Sequence, residues 1–398
     1  MLSLPLFEDD YPLIAFTQRV GFWGALADPV FRPRVTLSWI LLALWRMVHL
    51  TPVVYHMVSL AVHIANAWLL YVLLLAWPSS PIRRAAFWAT AFFAIAEGHQ
   101  EAVVWVAAMS ELLQFLFGGA ALYCFIRSQK TARPAVFTVA GAALFAMALL
   151  SKESAVIWLP IFALAIPWEA RREGLRKLIP YAAIELGAVA LFAITARHSF
   201  HYSDGSFSLH SPFVITWVRN FGRLLWVWGV IALGAMAYWR NAEFKIPAAI
   251  ALLWIGLGLV PYTFLTYSAQ IPSRHTYLAS AGLAVLVGLA FDGLLRTRLS
   301  RKLAMAVALA AIVHNTGILW LRKRAQFAKR AEPTEQIIRL AQRTAGPIWA
   351  SCFPHAGIIA SEAVHLATGR PASDVLLTPA EAAGRPVAAE FCYPATSR

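Results

Sequence analysis

Long apolar runs separated by short polar loops dominate the chain from residue 54 onwards. They predict about ten membrane-spanning helices, near 54–76, 84–97, 107–126, 134–150, 154–168, 178–196, 222–239, 246–265, 276–294 and 303–321. About 20 apolar helical residues cross the hydrocarbon core of a bilayer, so the shorter runs predict tilted helices or helices with half-polar ends. The pattern is typical of an all-α, polytopic transmembrane bundle.

The chain before the first span is less apolar. Residues 35–51 include an arginine and a histidine and are followed by Pro52, which favours a helix along the outer surface over a span. Residues 11–27 are weakly amphipathic and predict a second surface helix. We therefore expect three domains: an outer first loop over 1–53, a transmembrane domain over 54–321, and an outer tail or small domain over 322–398.

The charges of the loops predict their orientation. Lys and Arg gather in alternate loops, at Arg83 and Arg84; Arg127, Lys130 and Arg133; Arg171, Arg172, Arg176 and Lys177; Arg240 and Lys245; and Arg296, Arg298, Arg301 and Lys302. By the positive-inside rule these loops face the cytoplasm, so residues 1–53 and the tail face outside a plasma (inner) membrane. The basic stretch from Arg322 to Arg330 then lies on the wrong side, although long tails cross membranes largely regardless of charge.

Composition supports this class. The chain is 60% hydrophobic and has 16 Trp, which suit helix ends at the membrane interfaces. The net charge of +14 does not indicate nucleic-acid binding, because the basic residues lie in short loops rather than in one patch. The three cysteines have no metal-binding spacing. Cys124 lies in an apolar run, whereas Cys352 and Cys392 lie in the outer tail and are predicted to form a disulfide.

Carboxylates are scarce in this chain, with only 20 Asp and Glu, and an acid beside an apolar span costs desolvation energy. Asp9 and Asp10 stand side by side near the N-terminus. Neighbouring acids repel, so one of them is expected to have a raised pKa that suits a general base or a metal site. Glu101 follows the second apolar run on the same predicted side. The alternatives are a carboxylate capping the helix that starts near Tyr11, and an interfacial acid at a helix N-terminus.

Three cationic or titratable residues lie at the same predicted face. Lys152 stands in a tight turn between spans, where a lysine either snorkels to the interface or meets an anion. Arg274 follows a proline and precedes an apolar run; it anchors the helix at the interface or binds a phosphate through paired hydrogen bonds. His99 binds phosphate or metal, or caps a helix.

Other polar residues have weaker signals. His56, His63 and Asn66 share one face of a predicted span, and polar groups inside a span usually bond across helices. A long outer loop holds four more candidates with no assigned role, Arg197, His198, His201 and Asp204.

Several short motifs follow one another over residues 7–282. They are Phe7-Glu8-Asp9-Asp10-Tyr11-Pro12-Leu13-Ile14; Arg32-Pro33; His56, His63 and Asn66; His99-Gln100-Glu101-Ala102-Val103-Val104-Trp105, followed by Ser110-Glu111-Leu112-Leu113; Ser151-Lys152-Glu153; and Arg274-His275-Thr276-Tyr277-Leu278-Ala279-Ser280-Ala281-Gly282. Together they resemble the motifs of the GT-C membrane glycosyltransferases. The resemblance is strongest to the O-mannosyltransferase-like branch, which includes transmembrane proteins with tetratricopeptide repeats.

The resemblance implies a glycosyltransferase that moves a sugar, a hexose such as mannose, from a polyprenyl-phosphate carrier. The acceptor would be a hydroxyl of a protein or of an envelope glycan or lipid on the outer face. It implies Asp9 or Asp10 as the base, with Asp9 favoured by the alignment, and Glu101 as a second catalytic acid. Lys152, Arg274, His99 and Arg32 are implied as substrate-binding residues. A divalent metal ion is left open. Such enzymes usually begin with a cytoplasmic N-terminus and one more helix, so we expect that helix to be missing from this start, or a short tail to be translocated.

Two other classes remain open. A transporter or lipid flippase would also place polar residues in spans, but its sites are expected near the bilayer midplane and in repeated halves. A non-catalytic membrane scaffold would carry the same motifs without turnover. The acids at one face and the lack of a repeat in the sequence favour the glycosyltransferase.

Overall fold

The computed structural model describes residues 2–29, 34–195, 207–239, 242–266, 271–296 and 298–394. Its helices are α1 Asp10–Ala27, α2 Val35–Val48, α3 Pro52–Ala76, α4 Ser80–Ile95, α5 Gln100–Val104, α6 Met109–Ser128, α7 Pro134–Leu149, α8 Trp158–Leu164, α9 Arg171–Lys177, α10 Ile179–Thr195, α11 Phe213–Leu225, α12 Trp228–Trp239, α13 Lys245–Leu259, α14 Tyr277–Leu295, α15 Arg298–Ile318, α16 Arg324–Arg343, α17 Gly357–Thr368 and α18 Pro379–Ala383. Its strands are β1 Ile348–Cys352, β2 Val375–Leu376 and β3 Ala389–Cys392.

Helix α14 lies at the centre of the bundle. In the helical segment Ser273–Leu295, which contains α14, 89% of the most apolar stretch is buried in the protein. In Arg301–Arg343, which runs through most of α15 and into α16, only 17% is buried. Glycines make the close packing of α14 feasible. A Cβ at Gly288 would lie 2.8 Å from the backbone N of Ala89 in α4, and one at Gly282 would lie 2.6 Å from the carbonyl O of Ala251 in α13. Small residues at helix contacts are how membrane bundles bring backbones together.

The number of spans differs from the sequence-based count. Among the described residues, five helical segments are long and apolar enough to cross a membrane: Pro52–Ala76, Val106–Ser128, Ala242–Phe264, Ser273–Leu295 and Arg301–Arg343. Two bent pairs raise the number to at most seven. The apolar helices α7 and α10 are shorter than 18 residues. The polytopic helical architecture is therefore found, and ten spans stay a prediction.

The two segments predicted as surface helices are helical, as α1 and α2, which pack against each other. Their place at the outer membrane face stays a prediction. Gly21 interrupts α1 with φ +65°, a conformation that a residue without a Cβ adopts readily. Leu37, Leu41 and Leu44 of α2 are buried in the main core. The two helices therefore cover the first part of the bundle rather than standing apart from it.

The C-terminal region corrects the all-α prediction. Helices α15 and α16 join through a π-helical turn at Leu319–Lys323, so the predicted boundary at 322 falls inside a helical stretch. A three-stranded parallel sheet of order β2-β1-β3 follows and packs with α16 and α17 around its own core. Strands of two to five residues give too little alternation to be recognised in a sequence.

The expected disulfide is present. Cys352 and Cys392, at the ends of β1 and β3, are joined with their Cα atoms 4.6 Å apart. Cys124 is buried and free, as predicted from its apolar run.

Candidate active site at the acid loop

The segment Phe7–Asp10, here called the acid loop, is a tight turn that leads into α1. The backbone N of Asp10 donates to the carbonyl O of Phe7 at 3.2 Å, and the N of Phe7 donates to Asp10 Oδ2 at 3.1 Å. Glu8, inside the turn, has φ +50°, a left-handed conformation that costs energy for a residue with a side chain. The two hydrogen bonds through Asp10 hold the backbone in that conformation.

Asp10 and Asp9 have different surroundings although they are adjacent. Asp10 is completely buried, and its Oδ1 accepts from the backbone N of Ala107 at 2.7 Å, which ties the acid loop to the segment before α6. Burial raises the pKa of Asp10 well above its ordinary value, although the backbone donors of Phe7 and Ala107 lower it. Asp10 therefore holds the loop in place, and its buried, fully hydrogen-bonded carboxylate does not fit the expected catalytic role.

Asp9 is exposed to solvent, and its carboxylate makes no hydrogen bond within the described part of the chain. It stands at the N-cap of α1 without capping the helix through its side chain, so the capping alternative does not account for it. The surrounding protein raises its pKa by desolvation and through the charge of Glu8, while Arg34, Arg274 and Arg330 act in the opposite direction. Asp9 is thus a free carboxylate beside several cations.

Four charged residues meet next to Asp9, and we call them the acid-loop cluster: Glu8, Glu101, Arg274 and Arg330. Arg330 and Glu8 form a bidentate ion pair. Arg330 Nε donates to Glu8 Oε1 at 2.8 Å, and Arg330 Nη2 donates to Glu8 Oε2 at 2.6 Å. Arg274 Nη1 lies 2.9 Å from Glu101 Oε1, and Arg330 Nη1 lies 3.4 Å from the same atom. The cluster joins the acid loop, the segment around α5, the start of α14 and α16.

Glu101 is the carboxylate that connects the two arginines. Its Oε2 also accepts from the hydroxyl of Ser273 at 3.0 Å and from the backbone N of Arg274 at 3.2 Å. Burial on its own would raise the pKa of Glu101, but Arg274 and Arg330 outweigh it and the pKa is lowered. Glu101 is therefore ionised, and its contacts fix the orientation of the two arginines.

Aromatic rings frame the two guanidinium groups. Arg274 lies 4.5 Å from the ring centroid of Trp105, and Arg330 lies 4.9 Å from the same ring. Arg330 also lies 5.2 Å from the ring of Phe7 and 5.6 Å from that of Phe327. Such contacts favour a desolvated guanidinium and restrict its orientation. Arg274 uses one Nη and its backbone N–H for Glu101, so donors remain for an oxyanion.

A buried polar network lies directly below the cluster, centred on Glu111 of α6. Lys152 Nζ lies 2.6 Å from Glu111 Oε1, and His275 Nδ1 lies 2.5 Å from the same oxygen. Tyr262 OH donates to Glu111 Oε2 at 2.7 Å, and Gln114 Nε2 does so at 2.6 Å. His275 follows Arg274 directly in the sequence, so the network fixes the backbone that carries Arg274.

The network corrects the expectation for Lys152. Of the two expected alternatives, Lys152 meets an anion and does not snorkel, because it is 6% exposed and paired with Glu111. The anion is a side chain of the protein and not a substrate phosphate. Burial lowers the pKa of Lys152, and the Glu111 carboxylate opposes that effect. Lys152 therefore connects the turn at residue 151 to α6, and it is not available to a substrate in this structure.

The structure also differs from the expectation that His99 binds phosphate or metal, or caps a helix. His99 is buried; its Nε2 lies 2.6 Å from Ser280 Oγ, and its ring lies 4.6 Å from that of Tyr277. Burial, with a smaller effect of His63, lowers its pKa well below the ordinary value, so His99 stays neutral. It packs α14 against the segment before α5 and has no solvent-facing role in binding.

The polar residues of α3 bond across helices, as predicted. Asn66 Nδ2 donates to the carbonyl O of Leu112 at 2.9 Å and to Tyr277 OH at 3.2 Å. His63 Nδ1 lies 2.7 Å from the same hydroxyl. His56 Nε2 lies 3.0 Å from the carbonyl O of Leu4, so α3 also supports the segment before the acid loop.

Some sequence-based candidates lie outside the described residues: Arg32, Arg197, His198, His201 and Asp204. Within the described ranges, no three His, Cys, Asp or Glu side chains are arranged to hold a metal ion. Sequence reasoning assigns no role to two residues of this site. They are Glu111, which lies within a quoted motif, and Arg330, which belongs to the basic stretch on the side where the positive-inside rule does not expect it.

No protein-family model matches the chain, and no curated protein matches it. Several solved structures match this chain in fold, and two of them are described here. One is ArnT from Cupriavidus metallidurans bound to undecaprenyl phosphate, with 17% sequence identity and a TM-score of 0.50 over 97% of this chain and 86% of ArnT. The other is the archaeal oligosaccharyltransferase AglB from Archaeoglobus fulgidus in complex with an inhibitory peptide and a dolichol-phosphate, with 13% identity and a TM-score of 0.53 over 95% of this chain and 61% of AglB.

Both neighbours are GT-C glycosyltransferases of membranes, so the chain is similar in fold to that class. Identities of this size show the fold alone. This chain spans about three fifths of the length of AglB. The O-mannosyltransferase branch stays a prediction.

Proposed function

We propose that the protein is an integral membrane glycosyltransferase. It moves a sugar, a hexose such as mannose, from a polyprenyl-phosphate carrier to a hydroxyl of a protein or of an envelope glycan or lipid. The reaction takes place at the outer (periplasmic) face of the plasma membrane. The observation that carries the proposal is the free carboxylate of Asp9 beside Arg274 and Arg330, in a fold similar to that of ArnT and AglB.

The proposed reaction is a displacement at the anomeric carbon. Asp9 takes the proton of the acceptor hydroxyl as the oxygen forms its bond to the sugar. The bond between sugar and phosphate breaks, and the carrier phosphate leaves with that electron pair. A carboxylate with a raised pKa suits this role, because general bases work best when their pKa lies near the operating pH.

Arg274 and Arg330 are proposed to neutralise the charge that develops on the leaving phosphate. Planar guanidinium groups held between aromatic rings and carboxylates are preorganised donors, so they need little rearrangement during the reaction. Glu101 and Glu8 hold these guanidinium groups, and Glu111 with Lys152 and His275 hold the backbone below them. Their role is positioning.

The location of the cluster favours an enzyme over a transporter. Arg274 precedes the first turn of α14, so the cluster lies at one end of the bundle, whereas transporter sites are expected near the midplane. A scaffold would need neither a free carboxylate nor two ordered guanidinium groups beside it.

The test is turnover of a radiolabelled polyprenyl-phosphate sugar on membranes, comparing wild type with Asp9→Asn. Removal of a general base costs about 10²–10⁴-fold in rate, so the variant should lose measurable turnover while its expression stays normal. Asp292→Asn, which changes an equally charged residue at the other end of α14, is the control. Near wild-type turnover of Asp9→Asn would refute the assignment, and no turnover in wild type with any sugar carrier would refute the enzyme class.

A further inference from the structure

Three cations of the basic segment that follows α15 have no ion-pair or hydrogen-bond partner among the described residues. Arg322 and Lys329 are exposed and Lys323 is half-buried. Across the described parts of the chain, none of the three makes an ion pair or a hydrogen bond. By contrast, Arg84 and Arg296 at the other end of the bundle are both paired with Glu243 and Asp292. We call Arg322, Lys323 and Lys329 the open basic segment.

This segment begins where a lipid-facing surface ends. Helix α15 exposes large apolar side chains along its length, among them Met305 (72% exposed) and Leu309 (62%). Trp320 and Leu321 are 64% and 87% exposed and come directly before the basic residues. An exposed Trp next to cations is typical of the level of the lipid headgroups. The segment therefore lies where a phosphate attached to a membrane-embedded chain would be.

The open basic segment also leads to the acid-loop cluster. Lys323 and Arg330 are seven residues apart, which places them on one face of a helix and about 10 Å apart along its axis. Asn315 of α15 accepts from the backbone N of Glu97 at 2.8 Å, so α15 is attached to the segment that carries Glu101. The side chains of Lys323 and Arg330 can thus cover the distance between the membrane surface and the acid-loop cluster.

We propose that the open basic segment is the docking surface for the phosphate of the lipid carrier, from which the headgroup passes to Arg330 and Arg274. The proposal rests on the proposed function and names the route by which its donor arrives. Unpaired cations near a membrane surface attract anionic lipids. It also explains why cations are found on a side where the positive-inside rule does not expect them.

The test is equilibrium binding of radiolabelled undecaprenyl phosphate, without sugar, to the full chain in neutral phosphatidylcholine nanodiscs. The variant is Arg322→Gln/Lys323→Gln/Lys329→Gln. The matched control, Arg298→Gln/Arg301→Gln/Lys302→Gln, removes three cations at the start of α15, the end of that helix away from the open basic segment. At low salt the first variant should bind roughly 10–100-fold more weakly than wild type, with the control unchanged. High salt should reduce the difference.

Equal binding by wild type and the first variant, or an equal loss in the control, would overturn the proposal. An excess of phosphatidylglycerol that displaces the carrier as well as unlabelled carrier does would show a general anionic-lipid surface, and would overturn the assignment to the carrier. Failure of the proposed function is separable: binding that depends on these cations, in a protein that turns over no sugar carrier, would keep the docking surface and remove the enzyme.

Discussion

Two charged clusters of the same composition lie at opposite ends of α14. The acid-loop cluster has two carboxylates and two arginines near its start, and Arg84, Glu243, Asp292 and Arg296, here called the far-end cluster, have the same number near its end. In the far-end cluster the carboxylates pair with the arginines, and the two arginines are 36% and 39% exposed. Its exposed ion pairs tie α4 to α14, and a single pair of this kind contributes at most about 1 kcal/mol.

The acid-loop cluster differs in its surroundings. Aromatic rings cover its guanidinium groups, a buried network supports it, and Asp9 beside it has no hydrogen-bond partner in the described chain. Charge alone therefore does not identify a site. An unused carboxylate, held next to ordered cations by a strained turn, distinguishes the two ends.

The first prediction is that the two ends of α14 lie on opposite sides of the membrane, and its outcome is all or none. Ser3→Cys, near the acid loop, and Ala132→Cys, in the loop after α6, should react with a membrane-impermeant thiol reagent from opposite sides of the membrane. Cys124 is buried and the other two cysteines form a disulfide, so the background is low. Labelling of both positions from the same side would contradict the orientation given by the loop charges.

The second prediction concerns stability. Glu111→Gln should destabilise the protein by about 3–5 kcal/mol, because it leaves Lys152 buried without its counter-ion. Glu243→Gln, its match in the far-end cluster, should cost no more than about 1 kcal/mol. Thermal or denaturant unfolding in detergent measures both.

A second variant keeps this prediction falsifiable if Glu111→Gln folds poorly. Replacing the buried pair together, as Glu111→Gln/Lys152→Met, should recover part of the loss because no unpaired charge remains. Equal stability of Glu111→Gln and Glu243→Gln would show that the two ends do not differ in this respect.

The third prediction concerns use of the donor. Arg274→Ala should lower kcat/KM for the sugar carrier by about 10–100-fold, since a charge-assisted hydrogen bond contributes about 1.5–3 kcal/mol. Arg274→Lys should recover only part, because a lysine cannot form paired bonds with a phosphate. Arg296→Ala in the far-end cluster should keep wild-type kinetics. The same loss in both alanine variants would indicate a general effect on folding.

The comparison also shows what the sequence could predict. The acid loop, Glu101 and Arg274 were predicted because they occur in short motifs, and the disulfide because both cysteines lie in the tail. Arg330 could not be predicted, since its partner Glu8 is 322 positions away in the sequence. Lys152 and His99 were placed at the surface because a sequence shows only that they border apolar runs. Whether such a residue faces water or a buried carboxylate is decided by the packing of other helices.

The last prediction has the smallest effect and concerns the pH dependence of turnover. Asp9 acts in its ionised form, so activity falls as the pH falls through its pKa, which lies above the ordinary value because of desolvation and the charge of Glu8. Glu8→Gln removes that charge, and it also frees Arg330, whose positive charge further favours the ionised form of Asp9. Both changes lower the pKa of Asp9, so the acidic limb of the kcat/KM profile should move to lower pH. Asp292→Asn should leave the limb in place, because about 30 Å of helix separates it from the acid loop. An acidic limb that does not move in Glu8→Gln would mean that this limb reports the ionisation of a group other than Asp9.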